Sequence, residues 1–108
     1  MLNEILRIAE ANPFGFTVHL STLEKVTDGI SVAYAATQDC FDAAGLARCL
    51  DHATRHDGYL GGWLQPETGR YYFDSIRIFH DLEEAKAWGR DQQQIAVYDL
   101  THGELHNL

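Results

Sequence analysis

Apolar and polar positions follow two periods along the chain, and the changes from one to the other divide it into helices and strands. Leu2, Ile5, Leu6 and Ala9 recur at helical spacing. Asn12-Pro13 ends them, because the residue before a proline avoids the α region. An N-terminal helix within residues 1–12 follows. Phe14, Phe16, Val18 and Leu20 then alternate with Gly15, Thr17, His19 and Ser21, the period of two that marks a half-buried strand. After the turn Thr27-Asp28-Gly29, Ile30, Val32, Tyr34 and Ala36 alternate again. This second strand is expected to pair with the first as a long-looped hairpin.

The alternation breaks between Thr37 and Asp42. Asp42 is placed to cap a helix in which Ala43, Leu46, Ala47, Leu50 and Thr54 share a face, and Gly58 closes that segment. Tyr59 to Leu64 and Arg70 to Phe79 are aromatic and β-branched, and Gln65-Pro66-Glu67-Thr68-Gly69 between them is a turn with proline early and glycine late. They predict a central β-hairpin. Asp81 caps the next helix, with Glu84 in the capping-box position and Leu82, Ala85, Trp88, Gly89 and Gln92 on one face. Gln94 to Leu100 reads as the last strand, and residues 101–108 as a short C-terminal tail opened by the turn Thr101-His102-Gly103. The order α-β-β-α-β-β-α-β predicts an α+β fold, an antiparallel or mixed sheet with its helices packed mainly on one face.

Composition narrows the class. The 108 residues suit one domain, 1–108, and 45% hydrophobic against 22% charged residues is not the signature of disorder. Sixteen acidic against eight basic residues give a formal charge of −8, which disfavours direct nucleic-acid binding, since phosphates are neutralised by clustered Lys and Arg. The same charge suits a basic protein partner. Glu4, Arg7 and Glu10 interrupt the apolar start, so it is not read as a signal peptide, and no run is long enough to span a bilayer. A cytoplasmic location with Cys40 and Cys49 as reduced thiols is expected.

Four groupings could carry chemistry. Cys49, His52 and His56, at i, i+3 and i+7 on a helix, could converge on a metal ion, although no fourth ligand is evident; a half-buried cysteine beside two solvated histidines is the plainer alternative. His102 and His106 repeat the i, i+4 spacing in the tail. Asp74 interrupts the apolar face made by Tyr72, Ile76 and Ile78, and a carboxylate there needs a partner. Arg70 and Arg77 are near in sequence, and Gln94 or Tyr98 could reach it from a neighbouring strand. It is either a catalytic acid or base with Arg70, Arg77 and Gln94 positioning a substrate, or a hydrogen-bonded structural residue. Gly58-Tyr59-Leu60-Gly61-Gly62-Trp63 precedes a strand where a phosphate loop would join a strand to a helix, so its glycines are expected to serve a bulge or close packing, and Gly89 a close helix-to-sheet approach. Cys40, in the irregular stretch before a helix, has no nucleophile signature around it. No cofactor is implied.

Gly61-Gly62-Trp63, Tyr71-Tyr72-Phe73-Asp74 and Gln94-Ile95-Ala96-Val97-Tyr98-Asp99-Leu100, with Thr37-Gln38, Phe41, Gly45-Leu46, Glu84-Ala85 and Gly89-Arg90, resemble small uncharacterised proteins of bacterial phages and conjugative or other mobile elements. The likeness covers about residues 14–100 and implies a context in which small acidic proteins act on host factors or defence systems. It transfers no activity. The leading expectation is therefore a non-enzymatic binding protein, a modulator or inhibitor of a host or defence protein, with Tyr59, Trp63, Tyr71, Glu83 and Glu84 as interaction residues. The alternative is a small enzyme or ligand-binding domain with a polar site around Asp74. Homodimerisation through an aromatic edge at Tyr59, Trp63 or Tyr71 is a third.

Overall fold

In the computed structural model, which describes residues 1–108, helix α1 (Leu2–Ala11) stops at Asn12, whose side-chain amide donates to the Ile8 carbonyl at 2.8 Å. Strands β1 (Phe16–His19) and β2 (Ile30–Ala33) follow, then a 3-10 turn at Ala35–Thr37 and a two-residue strand β3 (Cys40–Phe41). Helix α2 (Asp42–Thr54) leads into the hairpin β4 (Tyr59–Gln65) and β5 (Arg70–Phe79). Helix α3 (Leu82–Asp91) and a second hairpin, β6 (Ala96–Asp99) and β7 (Glu104–Asn107), complete the chain. The fold is α+β, as expected, with three helices and seven strands in one wholly antiparallel sheet of order β1-β4-β5-β2-β6-β7, β3 lying beside β5. No helix is long and apolar enough to cross a membrane.

The central hairpin is in register from Tyr59↔Ile76 to Gln65↔Arg70 without a bulge. Gly61 and Gly62 therefore serve packing. A Cβ on Gly62 would lie 2.8 Å from the Phe16 ring and 2.9 Å from the Phe73 ring, so the bare backbone is what lets both rings close over it. The expected β1–β2 hairpin does not form. β4 and β5 lie between those strands, with β1 against β4 and β2 against β5. The connection from β1 instead folds back on β1 itself, where Val26 N donates to Thr17 O at 2.8 Å and His19 N to Glu24 O at 3.1 Å. That satisfies the backbone of an otherwise open strand.

All three helices cover the same face of the sheet. Ile5 and Ala9 of α1 and Leu46, Cys49 and Ala53 of α2 meet Val18, Leu60 and Phe73, while Ala85 of α3 meets Ile30, Val32 and Val97. Phe73, Ile5, Leu46 and Leu60 are fully buried, and burial of such side chains stabilises by about 1.5–3 kcal/mol each. Gly89 brings α3 down onto the sheet, as expected: a Cβ there would stand 3.1 Å from Val97 and 2.9 Å from Leu108. Asp81 caps α3 by accepting from Glu84 N at 2.9 Å. Asp42 does not cap α2. It lies at φ +58° where the chain turns out of β3, and no side chain accepts from that helix's first amides. The tail, too, departs from expectation, since Glu104–Asn107 adds a strand to β6.

Candidate functional site

The face without helices carries the largest concavity of the protein, and its lining is set by the strands beneath it. Alternation along β5 sends Phe73, Ser75, Arg77 and Phe79 toward the helices and Tyr72, Asp74, Ile76 and Ile78 to the opposite side. Across the ladders, Gly61 lies directly opposite Asp74, and Thr17 opposite Gly61. Ala33 lies opposite Ile76, and Ser31 opposite both Ile78 and Tyr98. Walls rise on two sides of this floor, one from the connection at Lys25, Val26 and Thr27, the other from Gln94, Tyr98 and Leu105. They enclose an open groove of about 610 Å³, apolar for the most part, with Asp74 in its lining.

Asp74 is partly buried, and neither a hydrogen bond nor an ion pair with another side chain holds its carboxylate charged. Burial pushes its pKa up to about 7, and the nearby charge of Asp39 pushes the same way. The arginines expected to partner it are elsewhere. Arg77 belongs to the helix face, 3.6 Å from the Asp57 carboxylate and over the rings of Phe79 and Trp88 at 5.1 and 5.4 Å. Arg70 sits near the hairpin tip, over the Phe41 ring at 4.3 Å. A separation of three or four residues along an extended strand, at about 3.3 Å each, carries a side chain past its neighbour, and an odd step also turns it to the other face. Gln94 does share the groove, its amide nitrogen donating to Gln38 Oε1 at 3.3 Å and Gln92 O at 3.1 Å. Tyr98 lines it as well.

The suggested metal ligands do not converge. Cys49 is wholly buried in the core with its thiol donating to Phe73 O at 3.2 Å, and burial pushes its pKa up. His56 falls beyond the end of α2 and stacks on His52 at 3.7 Å. Their Nδ1 atoms are engaged, His52 with Ser75 Oγ at 2.8 Å and His56 with His52 O at 2.6 Å. Burial, then the neighbouring His56, holds the His52 pKa below its usual value. His102 pairs with Asp99 at 2.7 Å and His106 with Glu104 at 3.6 Å, on a turn and a strand where helical spacing has no meaning. No group of three or more His, Cys, Asp or Glu side chains is arranged to hold a metal ion. Cys40 is a buried free thiol, closed to a substrate.

The interaction residues are divided between the two faces. Tyr59 stands edge-on to His19 at 4.9 Å, and Trp63 stacks on Tyr72 at 5.7 Å, both on the groove side. Tyr71 stacks on Phe73 at 6.4 Å on the helix side, where Glu83 and Glu84 form the first turn of α3. β4 is an inner strand, flanked by β1 and β5, so Tyr59 and Trp63 offer no sheet edge to a second copy.

No family model, curated protein or solved structure matches the chain. Two wall residues, Val26 and Leu105, had no sequence signal of their own. Val26 lies in a connection without alternation, and Leu105 is one of two leucines in an otherwise polar tail.

Proposed function

We propose that the protein is a non-enzymatic binding domain whose ligand site is the open groove over the sheet. The observation that supports this most is that one sheet face carries all the helices while the other carries a concavity with a single carboxylate on its floor. About 610 Å³ lies within the range of roughly 300–1,000 Å³ typical of small-molecule sites, whose linings are mainly apolar with a few polar groups. Binding fits this lining better than catalysis does. Asp74 is the only carboxylate in it, and neither histidine nor cysteine joins it there, whereas acid–base and nucleophilic catalysis call for a positioned second group.

A protein partner seated on the same face is the second reading, favoured by the aromatic string beside the groove. Phe41 is exposed and meets Tyr72 at 5.7 Å, which in turn stacks on the exposed Trp63. Amide chemical-shift mapping with an apolar fragment library tests the groove itself. Shifts are expected at Gly61, Ser31 and Tyr98, with α2 unmoved; shifts confined to the helix face, or none, would defeat the proposal. Ala33→Trp, which places an indole on the floor, should abolish the shifts in a protein that keeps its circular dichroism.

A further inference from the structure

We propose that the groove selects a small organic monocation, a protonated amine or amidine carrying an apolar group, and that the Asp74 carboxylate is its counter-ion. This rests on the groove being the binding site. Three features of the lining point to a cation. Asp74 has no cationic partner in the protein, because Arg77 faces the helices beside Asp57 and Arg70 lies over Phe41. Lys25, the one basic side chain in the lining, donates to Asn12 Oδ1. Gln94 spends its amide nitrogen on Gln38 and Gln92, which leaves its carbonyl oxygen as the group it can offer, again an acceptor.

The occupant is a small molecule on two further grounds. The floor strands β4, β5 and β2 are each paired on both sides, so they have no free backbone edge for an extended peptide to join. One carboxylate in an apolar concavity matches a single charge with an apolar body, and an unpaired buried charge is stabilised far more by such a partner than an exposed one. The titratable and charged groups around Asp74 are Asp39 before β3, Lys25 and His19 from the β1 side, Tyr59 on β4, Tyr72 on β5, Tyr98 on β6, Arg70 near the hairpin tip and Cys49 beneath the sheet. Of these, Asp74, Lys25 and Tyr98 line the groove itself and His19 lies outside its lining, so a pH dependence that comes from Asp74 is the one that Asp74→Asn removes.

The test is titration calorimetry of the full chain with 2-phenylethylamine, 2-phenylethanol and 3-phenylpropanoate, which differ chiefly in charge. Near pH 8 the amine should bind at least about tenfold more tightly than the alcohol, and the acid more weakly still; near pH 6 the amine should lose about tenfold as Asp74 takes up a proton. In Asp74→Asn the amine's advantage and its pH dependence should both vanish, while Asp51→Asn, on α2 across the sheet from the groove, keeps them. Alcohol and amine binding equally in the groove would overturn cation selection and leave the groove reading standing. Neither binding would overturn both. A peptide such as acetyl-Phe-Lys-Phe-amide binding roughly a hundredfold more tightly than the amine would overturn the small-molecule occupant in favour of a protein one. The three probes act on the native protein, so the outcome does not depend on the variant folding.

Discussion

Asp74 stands where its own ionisation opposes folding. Its pKa is 3.8 in the unfolded chain and about 7 in the folded one. The native state therefore binds the extra proton between those values, and stability falls as pH rises from about 4 to 7. At 1.36 kcal/mol per unit, a difference of about three units corresponds to a loss on the order of 4 kcal/mol once the group is fully charged. Asp74→Asn removes the charge and keeps the shape. Urea denaturation near pH 8 should find the variant more stable than the parent by about 2–4 kcal/mol, and the two should converge near pH 4. A variant less stable at both pH values would mean that the carboxylate is a structural acceptor.

At the scale of elements, the caps and close approaches that can be read locally are the ones to test. Asp81→Ala removes the acceptor for Glu84 N and should lower stability by about 1 kcal/mol. Gly62→Ala puts a methyl into the Phe16 and Phe73 rings, and thermal melts should show a loss of about 1–3 kcal/mol. The helices, the central hairpin and the face that carries Asp74 were legible because each depends on periodicity within one segment. Pairing between strands not joined by a tight turn was not. β1 and β2 each have a clear alternation, but nothing in either says that β4 and β5 will lie between them. β7 has almost no alternation and is held by its ladder to β6 and by Leu108 against Gly89. The site divides along the same line. Asp74 announced itself as a carboxylate on an apolar face, and Gln94 and Tyr98 came with the last strand. The distances that remove Arg70 and Arg77, and the wall built by Val26, arise only when strands assemble.

Across the whole molecule, the radius of gyration of 12.6 Å is that expected of one compact domain of this length, about 13 Å. β5 lies at the centre, paired with β4, β2 and β3, whereas β7 has one neighbour. Native-state hydrogen exchange should accordingly be slowest in β5 and β4 and fastest in β7, by at least about a hundredfold. Equal protection across the sheet would show that the second hairpin opens only with the rest.

The face left bare of helices is also a surface on which two molecules could stack. Pressed together, they would bring two Asp74 carboxylates into one dry apolar seam, where at most one could keep its charge. Above about pH 7 such repulsion would oppose stacking, and the carboxylate that burdens the fold would then also work against pairing. Sedimentation velocity should find monomers near pH 8 and association near pH 5, with Asp74→Asn associating at both.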